Sequence, residues 1–267
     1  MSKNDRKVAV SIIMPCYNSE RFIGEAMRSV VNQSFNNWEL LICDDGSTDN
    51  SVSIAKNYAS RDSRISVIQN KNERGAPGAR NSCLDIASGR YIAFLDADDL
   101  WLKNKLELQI SFMKSNNYTF VYSYHQVIDE DDNFISDCMA PASVNSKLMR
   151  FSNFIPCLTA VYDSRSIGKV FQPNIVKRND FALWLKILNH VDVERAHCLP
   201  VITARYRANA YGLSSNKKDA LKYFHHCLKE FGNCNSFQAY FFSACYLFIV
   251  AFKKKFNFIY NFFVVKL

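Results

Sequence analysis

The sequence predicts an α/β fold, a mainly parallel sheet flanked by helices, and three observations carry that prediction. Over the first hundred residues, short apolar runs alternate with stretches of helical periodicity in the order β-α-β-α-β-α-β at short spacing. Two of the apolar runs stop abruptly in carboxylates, one at Asp44-Asp45 and one at Asp96-Ala97-Asp98-Asp99. Finally, 267 residues that are 48% hydrophobic can bury a substantial core in one domain, or in one domain with an appendage.

Each element has its own signal. Residues 8–14 read as a buried first strand closed by Pro15-Cys16-Tyr17-Asn18, and Phe22, Ile23, Ala26, Met27 and Val30 follow at helical spacing with Asn18 or Ser19 as cap. A second strand over 38–43 runs into Asp44-Asp45-Gly46-Ser47-Thr48-Asp49. A helix over 49–60, a strand Ile65–Gln69, a loop and helix over 75–88 and the strand 90–95 complete this half. A helix is expected over 101–113, for which Asp99 is one candidate cap. Residues 118–128 and Phe134–Cys138 alternate as an antiparallel hairpin around a solvated acidic turn, 129–133. Residues 139–156 carry no pattern. Beyond them, Leu183, Trp184, Ile187 and Leu188 face inward on an amphipathic helix with Asp180 at its start, either a cap or a functional acid. Residues 191–205 read as sheet edges.

The carboxylates decide the chemistry. In an open parallel sheet, ligands bind at the carboxyl ends of the strands, so Asp44, Asp45, Asp96, Asp98 and Asp99 meet at one rim. Clustered carboxylates repel unless a cation sits between them. Mg²⁺ and Mn²⁺ prefer oxygen ligands, and a cation held by one or two carboxylates completes its shell with phosphate oxygens, which points to a diphosphate substrate. Neither a G-x-G-x-x-G after the first strand nor a P-loop is present, so phosphate is left to metal and side chains. The five histidines have no ligand spacing.

Charge and cysteine usage place the chain. From Arg205 onward ten Lys/Arg against two acids carry the whole net charge of +8, which points to an anionic partner at the tail and argues against nucleic acid binding across the whole domain. Nine cysteines without a C-x-x-C pair suit a reducing compartment, and the first apolar segment stops at Pro15, too soon for a signal peptide. Residues 237–252 are apolar, Lys253-Lys254-Lys255 follow, and 256–265 are aromatic again. This is short for a span and reads as an interfacial helix pair with lysines on anionic lipid; packing on the catalytic domain or a dimer partner is the alternative.

Together, Pro15-Cys16-Tyr17-Asn18, Asp44-Asp45-Gly46-Ser47-Thr48-Asp49, Ala79-Arg80-Asn81 and Leu95-Asp96-Ala97-Asp98-Asp99 resemble family 2 glycosyltransferases of the GT-A fold, over roughly residues 8–215. The resemblance implies a catalytic domain over 1–215, with a nucleotide-sugar half to about 100 and an acceptor half beyond it, and a helical region over 216–267. It implies that Pro15, Tyr17, Asn18, Asp44 and Asp45 surround the uracil and ribose of a UDP-sugar, with Arg80 near the diphosphate, Asp96 near ribose or sugar, and Asp98 on Mn²⁺ or Mg²⁺. Packing for Tyr17 and a surface charge for Arg80 are the alternatives. The family's Glu-Asp pair before an apolar residue and Trp resembles Asn179-Asp180-Phe181, which makes Asp180 the catalytic base and leaves the Glu's role open; Arg178 beside it is a substrate-binding candidate. Tyr206-Arg207 fits a donor-closing loop with Arg207 as a substrate-binding candidate, but Asn209 stands where His is usual, so the family's His contact to the diphosphate does not carry over.

The implied activity is an inverting transfer of glucose from UDP to a lipid-diphosphate-linked N-acetylhexosamine, β-1,3, at the cytoplasmic face of a bacterial inner membrane, in O-antigen or capsule assembly. The absence of a Gln-x-x-Arg-Trp motif argues against a polymer synthase. A phosphohydrolase leaves Asp44-Asp45 unexplained, and an inactive adaptor leaves Asp96, Asp98 and Asp180 unexplained.

Overall fold

The computed structural model describes residues 8–208 and 217–265. Four parallel strands form its first half: β1 (Val10–Cys16), β2 (Trp38–Asp44), β3 (Ile65–Gln69) and β4 (Tyr91–Phe94). Between them run α1 (Ile23–Val31), α2 (Ser51–Ala59) and α3 (Ala76–Ile86). The second half adds β5 (Leu100–Trp101), α4 (Lys105–Asn116), β6 (Phe120–Ile128), β7 (Phe134–Cys138), β8 (Ser143–Val144), α5 (Ser146–Met149), β9 (Val161–Asp163), α6 (Ser164–Ile167), α7 (Asn179–Leu188) and β10 (Ala196–Arg207). Three helices end the chain: α8 (Lys217–Glu230), α9 (Ser236–Lys255) and α10 (Asn257–Val264). The sheet runs β3-β2-β1-β4-β9-β6-β10-β5, with β7 on β6 and β8 on β10. It is parallel across β1 to β4 and mixed beyond, because β9 is antiparallel to both β4 and β6.

Strand alternation builds two cores. Ile12, Met14, Leu40, Ile42 and Ala93 face α1, α2 and α4, while Ile13, Leu41, Cys43 and Phe94 face α3 and α7. The register that pairs Cys16 with Asp44 and Ile13 with Phe94 aligns the strand ends, so both acidic runs emerge at one rim. Gly78 lets α3 start there: a Cβ on it would lie 1.8 Å from the Glu73 carbonyl oxygen.

Several expectations are corrected. Neither Asn18 nor Ser19 caps α1 through its side chain; the Ser19 carbonyl accepts from the Phe22 and Ile23 N–H groups. The helix expected from residue 101 starts at Lys105, because Leu100 and Trp101 pair instead with Arg205 and Ala204. That pairing also makes β10 an inner strand, between β6 and β5, rather than an edge. Its register slips between Leu199 and Ala204, where Pro200 has no N–H to give the ladder. The acidic turn is not merely solvated: Asp132 pairs with Arg207 at 2.6 Å, and Glu130 and Asp131 pair with Arg21. Residues 139–156 contain β8 and α5. Helix α7 is buried on both sides, Trp184 against Phe94 and Phe120, and Phe181 stacked on Phe224 of α8 at 4.8 Å. The tail thus shares the core of the first 208 residues, through Phe224, Cys227, Leu228 and Val264. The polar residues 1–7 and the segment 209–214, with Asn209, lie outside the described residues.

Candidate active site

A cavity of about 840 Å³ opens where β1, β2 and β4 end. Pro15, Tyr17, Asp45, Arg80, Asp96, Asp98, Arg178 and Asp180 line it; Asn18, Asp44 and Arg207 do not.

The donor-side loops are built from backbone needs. Buried Asp44 folds its own loop, its carboxylate accepting from the Gly46 N–H at 3.2 Å and the Ser47 N–H at 3.0 Å, with Gly46 in the left-handed region (φ 92°). Asp45 accepts from the Gly75 N–H at 2.7 Å and from Asn70 at 2.6 Å, tying the second strand end to the start of α3. Asn18 (φ 45°) spends its side chain on the Thr48 N–H at 2.8 Å, so it fastens the same loop from β1. Tyr17 is 59% exposed and lies on the cavity instead of packing into the core.

Arg80 is no surface charge. It is buried, and its guanidinium donates to Asp96 at 2.5 Å, to Asn179 Oδ1 at 3.0 Å and to Gln172 at 3.3 Å. Burial by itself would lower its pKa, but the surrounding negative charges, Asp96 first, together with the Asp96 hydrogen bond outweigh that and raise it, so Arg80 stays cationic. One side chain thereby links the acidic run after β4 to the first residue of α7.

Asp99 is buried, and burial first, then the charges of Asp98 and Asp96, push its pKa well above the usual carboxylate range. Three carboxylates within four residues form an all-oxygen donor set whose mutual repulsion a hard divalent cation would relieve, and so the residues present fit Mg²⁺ or Mn²⁺. Among the described residues no group of three or more His, Cys, Asp or Glu side chains is arranged to hold a metal alone. A cation held here would need its remaining ligands from phosphate and water.

Arg207, a substrate-binding candidate, does not line the cavity. Alternation along β10 turns Tyr206 toward the cavity and Arg207 away from it. Its guanidinium, 1% exposed, reaches the Asp98 carbonyl at 2.9 Å, Asp132 at 2.6 Å and Glu25 at 3.1 Å, and its N–H donates to Asp99 at 2.9 Å. Arg207 therefore clamps the acidic turn from behind.

Across the cavity, Asp180 lies in the first turn of α7 and accepts a 2.7 Å hydrogen bond from Asn153. Arg178 starts that helix in the left-handed conformation (φ 63°), hydrogen-bonded to the Tyr246 hydroxyl of α9 and lying 5.1 Å from its ring centroid. Cys157 also lines the cavity; burial drives its thiol pKa far up, so it is protonated and no nucleophile. Sequence reasoning missed Asn153, Gln172 and Tyr246. The first lies in the patternless stretch before α7, and nothing local marks any of them.

The profile of Glycosyl transferase family 2 matches residues 11–167. The chain is 41% identical over 213 residues to the Escherichia coli protein named UDP-Glc:alpha-D-GlcNAc-diphosphoundecaprenol beta-1,3-glucosyltransferase WfgD, covering 80% of this chain and 82% of that one. It is 38% identical to the putative teichuronic acid biosynthesis glycosyltransferase TuaG of Bacillus subtilis, over 81% of this chain and 85% of that one. Its fold is also that of S. aureus TarS 1-349 in complex with UDP-GlcNAc, with a TM-score of 0.67 and 19% identity over 90% of this chain and 71% of that one. With the profile spanning more than half of its length, the chain belongs to glycosyl transferase family 2.

Proposed function

We propose that this chain transfers glucose from UDP-glucose to the N-acetylglucosamine of a diphosphoundecaprenol-linked acceptor, with inversion, forming a β-1,3 linkage in surface polysaccharide assembly. The observation that carries this reading is the 41% identity to WfgD over four-fifths of both chains, since that protein's name states this donor, acceptor and linkage.

The residues divide the work. Pro15, Tyr17 and Asp45 receive the uracil and ribose, on a loop that Asn18 and Asp44 shape. Asp98 holds Mn²⁺ or Mg²⁺, which when bound offsets the negative charge growing on the departing diphosphate. Arg80 is already engaged by Asp96 and Asn179, so it orients both walls rather than reaching for phosphate. Asp180 removes the proton of the acceptor hydroxyl as its oxygen attacks the anomeric carbon from the face opposite UDP; the new glycosidic bond forms as the bond to UDP breaks. Asn153 fixes the carboxylate's orientation, and Arg178 stands at the acceptor rim.

The tail supports a site at the cytoplasmic face of the inner membrane. Helix α9 contains an 18-residue stretch, Ser236–Lys253, of mean hydropathy 1.3, apolar and long enough by composition to cross a membrane. Its outer side exposes Phe237, Tyr240, Phe241 and Phe248, rings suited to headgroup depth in an interfacial helix.

The test is UDP release by purified protein with Mn²⁺, screened over UDP-glucose, UDP-galactose and their N-acetyl forms, with and without a lipid-diphosphate-GlcNAc acceptor. Acceptor-dependent release from UDP-glucose alone is expected. Release with another donor only would reassign the sugar, and no release with any donor would sink the reading.

A further inference from the structure

The large cavity continues past Asp180. His125, Asn153 and Pro156 bound it and also bound a second cavity of about 50 Å³, closed on the far side by Lys253 of α9 and Tyr260 of α10. Asn153 therefore touches the base on one side and this small chamber on the other. The chamber has room for a few water-sized groups and none for a sugar ring.

Lys253 is an unusual wall for it. Its Nζ lies 4.0 Å from the Cys138 sulfur and 5.3 Å from the Tyr260 ring centroid, and it takes part in no ion pair among the described residues. His125 beside it stays neutral, since burial and then the Lys253 charge lower its pKa to about 4, and an imidazole supplies no anion. A partly buried ammonium among a thiol, an imidazole and a phenol ring has lost part of its hydration without gaining an anion. From Lys253 outward the same helix presents Phe248, Phe241 and Phe237 to solvent, more than one turn away. Cation, small chamber, Asn153 and Asp180 thus adjoin one another in turn.

We propose that Lys253 and the chamber it closes are the acceptor's diphosphate subsite, with the sugar reaching past Asn153 to Asp180 and the polyprenyl chain leaving on the Lys253 side. This rests on the reading of the acceptor as a lipid-linked diphosphate sugar. The order matches the order of groups in such a molecule: sugar in the large cavity and phosphates at the cation beyond it. The UDP diphosphate belongs to the opposite end, beside Asp96 and Asp98.

The experiment uses the full chain and two soluble acceptors, a short-alkyl diphosphate-GlcNAc and an alkyl GlcNAc glycoside without phosphate. Wild type should prefer the first. Lys253→Ala should raise KM for the diphosphate acceptor about tenfold or more, the loss of one charge-assisted contact, while KM for UDP-glucose and turnover of the phosphate-free acceptor stay unchanged. Lys253→Arg should restore much of the preference, and Lys229→Ala, at an exposed tail lysine, should leave it intact. Independently of any variant, a sugar-free alkyl diphosphate should inhibit wild type competitively against acceptor and not against UDP-glucose. An unchanged acceptor KM in Lys253→Ala, or absence of that competition, overturns the subsite. So does a Lys253→Ala protein that loses only its binding to phosphatidylglycerol vesicles, which would assign the ammonium to bulk headgroups. A wild-type chain that uses the phosphate-free acceptor equally well overturns it too. Transfer to neither acceptor would instead remove the underlying acceptor reading, and the subsite with it.

Discussion

Asn153 donates a 2.7 Å hydrogen bond to the Asp180 carboxylate across 27 positions of chain, and this contact, not helix capping, defines the surroundings of the proposed base. Asn145 caps α5 through its own side chain, leaving the loop after that helix to carry Asn153 to the cavity.

Asp180→Asn is expected to lower kcat by about 10²–10⁴-fold, the range for removing a general base, while UDP binding measured by calorimetry is kept. Asn153→Ala should lower kcat by about tenfold with donor KM unchanged, because a misoriented carboxylate still accepts a proton. Loss of UDP binding in Asp180→Asn would place that residue on the donor instead.

Removing the carboxylate at 98 tests the metal assignment. Asp98→Asn should weaken the Mn²⁺ dependence of UDP binding, read as the Mn²⁺ concentration for half-maximal affinity, and EDTA should abolish turnover by wild type. A variant with wild-type Mn²⁺ response would move the ion to another carboxylate.

Arg207→Met is expected to destabilise the fold by about 2–3 kcal/mol in urea titration, since it strips the Asp98 carbonyl and two partly exposed carboxylates of one buried cation. Activity should fall with the loss of order in the acidic turn. A stable variant with only a raised donor KM would return Arg207 to substrate binding.

Lys105 gives a pH prediction. The side chain is fully buried beside Gln109, 4.6 Å from the Trp101 ring centroid, and burial lowers its pKa to about 7. Between that value and the ordinary lysine value the unfolded chain holds a proton that the folded chain has released. Stability therefore rises with pH across that window, by at most about 1.4 kcal/mol per pH unit, and below about pH 7 the group's full cost is present and no longer changes with pH. Lys105→Met should flatten the slope and raise Tm at pH 7. A steeper slope in the variant would contradict the assignment.

The first hundred residues were legible because every element there answers to local signals. Alternating strands, helical spacing and carboxylates at two strand ends required only that parallel strands keep their register, which Cys16 opposite Asp44 does. The same logic failed at Trp101, where two residues pair with β10 against their helical neighbours, and at Asp129–Asn133, whose acids answer to Arg207 and Arg21 from distant parts of the chain.

By itself, then, the sequence determined the alternating α/β order, the acidic rim, the basic aromatic tail and the motif set that resembles its family, because each is written in composition or in spacing of a few residues. Only the tertiary structure decided that Arg80 spans Asp96 and Asn179, that Asn153 orients Asp180, that Arg207 turns away from the cavity, and that Lys253 closes a chamber behind the proposed base. Those contacts join residues from 16 to more than 100 positions apart, and no local periodicity encodes a partner that only packing brings near.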